Sequence, residues 1–372
     1  MRVCFFVPKC TPDNSHGRYV IELASRLGRQ QNVTVYTGAV ASQLRAIVQC
    51  HYLPVPQRPA VARIVALWAS SVALVTHGRF DIVHTQGADA PVGDVITAQF
   101  CNSAMKASVG EQPSIVRRIN YAIGSAAERY CMAKPSTRAI IAISHGVKRD
   151  IQRHYGVDAQ KLVVIPHGVD AERFHPQNRV RWRKAVRQRL GLDDEDFVIA
   201  FVGGDYRRKG LIPLLRAVER VDRKVRVLAV GTPNHSQLAS EVARERLRDR
   251  LTLVDQTPEI APYYAASDCF ALPTRYDTFS LATLEAMATG LPAVVSRLAG
   301  VSERLTDGVD CLLLEDPEDA DALAGHLRRL VGDRGLRTSL GAAARQTAER
   351  HSWDHVAEQT VIVYRQVLGS RA

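Results

Sequence analysis

A doubly wound α/β architecture, occurring twice in succession, is what this 372-residue chain predicts, on three observations. Short apolar, β-branched runs alternate with helical patterns along the whole length, the rhythm of βαβ units in a parallel sheet. The rhythm breaks at residues 166–176 (PHGVDAERFHP), where two prolines and a glycine mark an interdomain linker. A length of 372 residues with 46% hydrophobic and 23% charged composition suits two domains, each able to bury a core.

Strands are expected at residues 3–7, 33–36, 82–84, 95–98, 139–143 and 162–165, with helices between them. After the linker a second series follows at 197–202, 225–230, 251–254, 269–272, 293–296 and 311–314. Residues 353–368 read as one helix with Val356, Val361, Val363, Tyr364 and Val367 largely to one side.

The charge balance is basic, +11 from 49 Lys and Arg against 38 Asp and Glu, and predicts an anionic partner. Nucleic acid, anionic lipid and phosphorylated sugar all qualify. One basic cluster, Arg117-Arg118, is interleaved with Ile115, Ile119, Tyr121, Ile123 and Tyr130. That pattern fits a helix lying on a lipid surface and equally a core-facing helix with a solvated basic side. A second cluster, Arg179 to Arg189, lacks the interleaving and is expected as a solvated helix face. The seven cysteines (Cys4, Cys10, Cys50, Cys101, Cys131, Cys269, Cys311) show no C-x-x-C spacing and read as reduced, mostly core thiols. The N-terminus enters a strand directly, with too short an apolar stretch for a secretory signal. The longest apolar run, near residues 64–75, is about half of a membrane span. A cytoplasmic protein is expected, with peripheral contact at the inner face of the membrane if the Arg117 helix binds lipid.

The most informative stretch is residues 276–296, YDTFSLATLEAMATGLPAVVS. Asp277 falls in the loop after a strand, and Glu285 lies eight residues on, about two turns into the helix that follows. The backbone N–H groups of Thr278, Phe279 and Ser280 would open that helix toward any anion placed before it. A ligand carrying a diphosphate between two sugars could rest its phosphates there and offer hydroxyls to the carboxylates. An isolated D-x7-E is equally an ordinary helix cap with a solvated glutamate. A second element supports the ligand reading: strand 197–202 ends in Gly203-Gly204, and Arg208-Lys209-Gly210 precede the next helix. Both cations would sit where an open α/β sheet binds ligands and could stabilise a diphosphate leaving group.

These elements, with SHGRYVIELASRL, RFDIVHTQG, IIAISHGVKRDIQRHYG, VVIPHGVDAERFHP and ASDCFALPT, resemble the retaining glycosyltransferases of family 4. The likeness runs over most of the chain and is greatest to the lipopolysaccharide-core glucosyltransferase I group, judged by length, the GGDYRRKG turn and Gln99-Phe100-Cys101. It implies a GT-B fold, two Rossmann-like domains facing across a cleft. Residues 1–166, completed by 353–372, would be the acceptor-side domain, and 167–352 the nucleotide-sugar domain. It also implies that Arg208 and Lys209 hold the donor diphosphate and that Asp277 contacts the transferred sugar. The N–H groups near Phe279 to Leu281 would touch the phosphates, Glu285 would hold the ribose, and Gly17 would bring the N-terminal loop close to the donor.

The implied reaction moves a hexosyl unit from a nucleoside-diphosphate sugar, UDP-glucose or UDP-GlcNAc favoured, to a hydroxyl of an anionic glycolipid or lipopolysaccharide intermediate. A soluble acceptor, and a non-catalytic nucleotide- or lipid-binding role, are the alternatives. No metal, other cofactor or nucleic acid is expected. The sequence departs from the family pattern at Asp277, where glutamate is usual, at Cys101, where a histidine is common, and in SHGR, with one glycine where two are common. LDDEDF, residues 192–197, holds a D-x-D but is expected as a solvated acidic turn, and His84 and His145 are expected to be structural. GGDY lacks the G-x-G-x-x-G of a nicotinamide enzyme.

Overall fold

The computed structural model describes residues 1–56, 60–77, 80–108, 115–231, 235–244 and 248–370. It divides into two compact units, Met1–His167 with Trp353–Ala372, and Gly168–Ser352.

The first unit contains β1 (Arg2–Val7), α1 (Ser15–Leu27), β2 (Asn32–Thr37), α2 (Ser42–Arg45), β3 (Gln49–Tyr52), α3 (Ala60–His77), β4 (Ile82–Gln86) and β5 (Val95–Ala98). It continues through α4 (Asn102–Ser108), α5 (Ile115–Ala133), β6 (Ala139–Ala142), α6 (His145–Tyr155) and β7 (Leu162–Val164). The second unit holds α7 (Asn178–Leu190), β8 (Phe197–Val202), α8 (Leu211–Glu219), β9 (Val225–Val230), α9 (His235–Arg244), β10 (Leu251–Val254) and α10 (Ala261–Ala266). After these come β11 (Cys269–Leu272), α11 (Leu281–Ala288), β12 (Ala293–Ser296), β13 (Leu312–Leu314), α12 (Ala320–Gly332) and α13 (Arg334–Glu349). The last helix, α14 (Trp353–Gly369), returns to the first unit.

Both sheets are wholly parallel, ordered β3-β2-β1-β4-β5-β6-β7 and β10-β9-β8-β11-β12-β13. Each strand order reverses once, at β1/β4 and at β8/β11. Ligands of such sheets bind beyond the strand carboxyl ends at that reversal. Strands β4, β5, β6, β11 and β12 are buried along their whole length, as parallel strands covered by helices on both faces must be.

Two expectations change. Strand β3, sequence QCHY, was not expected: it is a largely exposed edge with no apolar alternation to announce it. The Arg179–Arg189 helix is a solvated face only in part: Arg181, Lys184 and Arg189 are exposed, but one row of arginines is not left to solvent. Arg179, Arg183 and Arg187 stand one turn apart on α7 and converge on Asp268, at 2.8, 2.9 and 2.6 Å. Arg187 is 1% exposed and also donates to the carbonyls of Ala266, Asp193 and Asp196. The carbonyls of Ala266 and Ser267, at the C-terminal end of α10, attract cations because the helix leaves them without intrahelical donors. Arg187 thereby clamps the D-x-D turn as structure: Asp196 is buried, accepts from Asp193 N–H at 2.9 Å and faces Arg226.

Candidate active site

The reversal at β8/β11 brings together two crossovers. At the first, β8 ends at Gly203, whose φ of +151° is a glycine conformation. The side chain of Lys209 folds back across it, so that a Cβ on Gly203 would lie 2.3 Å from Lys209 Cδ and 2.6 Å from Cε. Gly210, φ +83°, opens α8, and a Cβ there would lie 1.9 Å from the Pro273 carbonyl oxygen. No side chain fits, and that close approach is what sets the RRKG turn against the loop after β11.

The second crossover is pinned to the first by backbone. Arg275 N–H and the Thr274 hydroxyl both donate to the Arg208 carbonyl, at 2.9 and 3.1 Å. In return the Arg208 guanidinium donates from Nη1 to the Tyr276 carbonyl and from Nε to Asp205. Lys209 Nζ lies 3.2 Å from Asp277 Oδ2, with both side chains largely buried. The cations of one loop therefore meet the acid of the other.

Asp277 also accepts the Phe279 N–H at 3.2 Å, while its own backbone is held by Leu298 and Gly300. Burial opposes ionisation of this carboxyl, but Lys209 and Arg208 beside it outweigh that effect and hold it below the usual aspartate range. Ser280 is the one non-glycine with positive φ among the described residues, +83°, and caps α11: its Oγ accepts from Thr283 N–H. A residue held in that region costs about 1–3 kcal/mol, a strain that collects at functional sites. With Phe279 N–H taken by Asp277, the N–H groups of Ser280, Leu281 and Ala282 stand at the helix opening, and Thr278 is half-buried between them and Asp277. Glu285, 3% exposed on α11, accepts from the Tyr264 hydroxyl at 3.0 Å.

Two family models match the chain, "Glycosyltransferase Family 4" over residues 16–173 and "Glycosyl transferases group 1" over residues 196–333. A D-inositol 3-phosphate glycosyltransferase of Xylanimonas cellulosilytica is 29% identical over 95% of this chain and 92% of its own. An alpha-maltose-1-phosphate synthase of Mycolicibacterium smegmatis is 33% identical over 66% of this chain and 67% of its own. The chain belongs to the family 4, group 1 glycosyltransferases. Among solved structures, WaaG, a glycosyltransferase involved in lipopolysaccharide biosynthesis, superposes with a TM-score of 0.82 over 97% of this chain and 99% of its own, at 20% identity. At that identity the likeness establishes the GT-B fold.

The remaining expected residues of this glycosyltransferase belong to the first unit. Gly17 is in the first unit, at the start of α1, where a Cβ would lie 2.4 Å from the Lys9 carbonyl oxygen and 2.6 Å from that of Thr11. Its N–H is capped by Asn14 Oδ1 at 2.7 Å. Packing inside that unit already accounts for the glycine. His84 is structural: fully buried between Thr97 Oγ1 and the Tyr364 hydroxyl, it has its pKa lowered to about 3 by desolvation. Cys101 is buried, and desolvation raises its thiol. The side chain of Arg117 lies outside the described residues; Arg118 on the same helix is exposed, as are Ile115, Val116 and Ile119. No helix among the described residues is long and apolar enough to cross a membrane.

Sequence reasoning missed the residues that align the site. Gly203 is noticed as a strand end, but the passage of Lys209 across it leaves no mark in the sequence. Tyr264 and the Gly210–Pro273 contact are tertiary facts of the same kind.

Proposed function

We propose that this glycosyltransferase moves a hexosyl unit, with retention, from a nucleoside-diphosphate sugar to a hydroxyl acceptor, using the β8–α8 and β11–α11 crossovers of the second unit as its donor site. The observation that carries the reading is the Lys209–Asp277 pair at 3.2 Å beside Arg208, at the mouth of α11. Lys Nζ has three donors and one is directed at Asp277; Arg has five, of which Nε and one on Nη1 are engaged within the loops. The remaining donors, with the N–H groups opening α11, suit a diphosphate.

When the acceptor oxygen bonds to the sugar C1, the C1–O bond to phosphate breaks, its electron pair going to the phosphate oxygen, and the acceptor proton passes to that oxygen. Arg208 and Lys209 stabilise the charge that develops on the leaving group, Asp277 fixes the sugar and the Lys209 ammonium, and Glu285 takes the ribose hydroxyls. The charge-stabilising part is filled by side chains, so transfer is expected to survive chelation by EDTA.

The first unit is assigned to the acceptor. Both curated relatives carry names of phosphorylated compounds, which favours a phosphorylated sugar or polyol. Ile115, Val116 and Ile119, exposed beside Arg118 on α5, favour a lipid-borne acceptor as the second reading. UDP is favoured as the donor nucleotide on family resemblance, and a thermal-shift series with UDP-, GDP- and ADP-sugars separates the possibilities, since ligand at a hundred times its Kd stabilises by about 2.7 kcal/mol.

In a donor-consumption assay, Asp277→Asn, which keeps an acceptor for Phe279 N–H, is expected to lower kcat by about a hundredfold. Full activity in a folded Asp277→Asn protein would remove Asp277 from the site.

A further inference from the structure

Glu285 sits on α11 at 3% exposure, where a carboxylate needs hydrogen-bond donors. One comes from α10. The Tyr264 hydroxyl lies 3.0 Å from Glu285 Oε2 and 3.1 Å from the Ala282 carbonyl oxygen, and it has a single proton to give. Ala282 belongs to the first turn of α11, so its carbonyl already accepts the helix's own N–H four residues on. The phenol proton therefore goes to the carboxylate and holds it in one orientation. A carboxylate offers about four acceptor sites, and this bond uses one of them.

Tyr264 is itself immobilised. It is 0% exposed, with the ring of Phe174 edge-on at 5.9 Å and 75°, and that of Phe270 of β11 at 6.3 Å and 60°. Phe174, also 0% exposed, is fixed through its backbone. Arg345 of α13 donates from Nη1 to the carbonyls of Ala171, Phe174 and Ala288, at 3.0, 2.7 and 2.6 Å. Ala288 ends α11, so one guanidinium ties the support of the tyrosine to the helix that carries Glu285. The neighbouring Tyr263 has no such place: it is half-buried, and its hydroxyl accepts from Arg189 Nη2 at 3.1 Å.

We propose that Tyr264 is a positioning residue for the donor, its hydroxyl turning the Glu285 carboxylate to meet both hydroxyls of a ribose, so that the site selects ribonucleoside over 2′-deoxyribonucleoside diphosphates. The inference rests on the donor site proposed above and names what sets its selectivity. With Oε2 anchored by the phenol, a ribose that lacks the 2′-hydroxyl leaves a buried acceptor of Glu285 without its donor. A site built around such a bond rejects the analogue that cannot make it. Once the phenol is lost, the carboxylate can turn to whichever hydroxyl remains, and the preference fades.

Calorimetric titration of the full chain with UDP, GDP and ADP, each beside its 2′-deoxy counterpart, tests this. The nucleotide that wild type binds most tightly is expected to exceed its deoxy counterpart in affinity by about tenfold or more. In Tyr264→Phe that ratio should fall to about threefold or less, through loss of affinity for the ribonucleotide, while Tyr263→Phe keeps the wild-type ratio. A double-mutant cycle checks that the effect runs through the carboxylate, which a packing role would not require: in a Glu285→Ala background, Tyr264→Phe should change the ratio no further. Should Tyr264→Phe not fold, Phe174→Leu, which keeps the hydroxyl but removes the ring edge behind it, takes its place with the same expected direction. Equal affinity for the two members of the pair in wild type, or a wild-type ratio kept in the folded variant, overturns the proposal while the binding itself leaves the donor site standing. Binding of none of the nucleotides overturns the donor site and this inference together.

Discussion

Gly203 and Glu128 show how one residue sets the behaviour of its surroundings. A methyl group on Gly203 meets the flexible end of Lys209, not backbone, so Gly203→Ala can fold at a cost of about 1–3 kcal/mol in backbone strain, but only if the ammonium leaves Asp277. Donor affinity is expected to fall about tenfold. A double-mutant cycle checks the route: in a Lys209→Met background the same substitution should do little further harm to donor binding. Glu128 acts through pH. Desolvation pushes its carboxyl up to about 7 against the opposing pull of the Tyr155 hydroxyl and the Asn102 donors. A carboxyl whose folded pKa lies above its unfolded 4.5 adds stability that is complete below pH 4.5 and lost as pH rises to about 7. His84, held neutral, contributes in the opposite sense, losing stability as pH falls from 6.5 toward 3. The comparison must therefore be between proteins at equal pH: Glu128→Gln should gain on wild type by on the order of 2 kcal/mol between pH 5 and pH 8, read by chemical denaturation. A constant difference across that range would mean that Glu128 keeps an ordinary pKa.

Helix α7 shows where pattern and packing part company. Its arginines recur one turn apart with no apolar stripe, which on sequence alone describes a wet surface; Asp268 and the open carbonyls at the end of α10 gather Arg179, Arg183 and Arg187 into a clamp whose innermost member, Arg187, is buried. Burial opposes the Asp268 charge, yet Val198 N–H with Arg183 and Arg187 keeps its carboxyl below the usual range. Arg187→Met leaves Asp268 two other guanidiniums but strips donors from Ala266, Asp193 and Asp196, and is expected to cost about 3 kcal/mol in denaturant titration, far more than Arg189→Met. The strands were legible because parallel strands covered on both faces must be continuous apolar runs; β3 was not, being an exposed edge of polar residues. At the proposed donor site, Asp277, Arg208 and Lys209 could be read from their positions between strand and helix, and Glu285 from its place within the helix that follows. The Tyr264–Glu285 contact joins residues 21 apart on different helices, and only the folded chain brings them together.

The chain leaves its first unit at His167 and comes back to it at Trp353, so the second unit is one uninterrupted segment and the first is not. That asymmetry has an energetic consequence. Helix α14 buries Trp353, Val363, Tyr364 and Val367 on the first unit, Trp353 edge-on to Tyr19 and Tyr364 against His84, with the hydroxyl 2.6 Å from Nδ1. Losing one such aromatic costs about 3–5 kcal/mol, and losing the helix approaches the whole stability of a domain, about 5–15 kcal/mol. Deleting residues 353–372 should therefore unfold or loosen the first unit while the second, which shares none of these contacts, stays folded. Hydrogen exchange on the truncated chain is expected to show β1, β4 and β5 losing protection with β8, β11 and β12 unchanged, and UDP-sugar binding retained. Equal loss in both sheets would show that the two units fold as one cooperative body and that the donor site depends on the final helix.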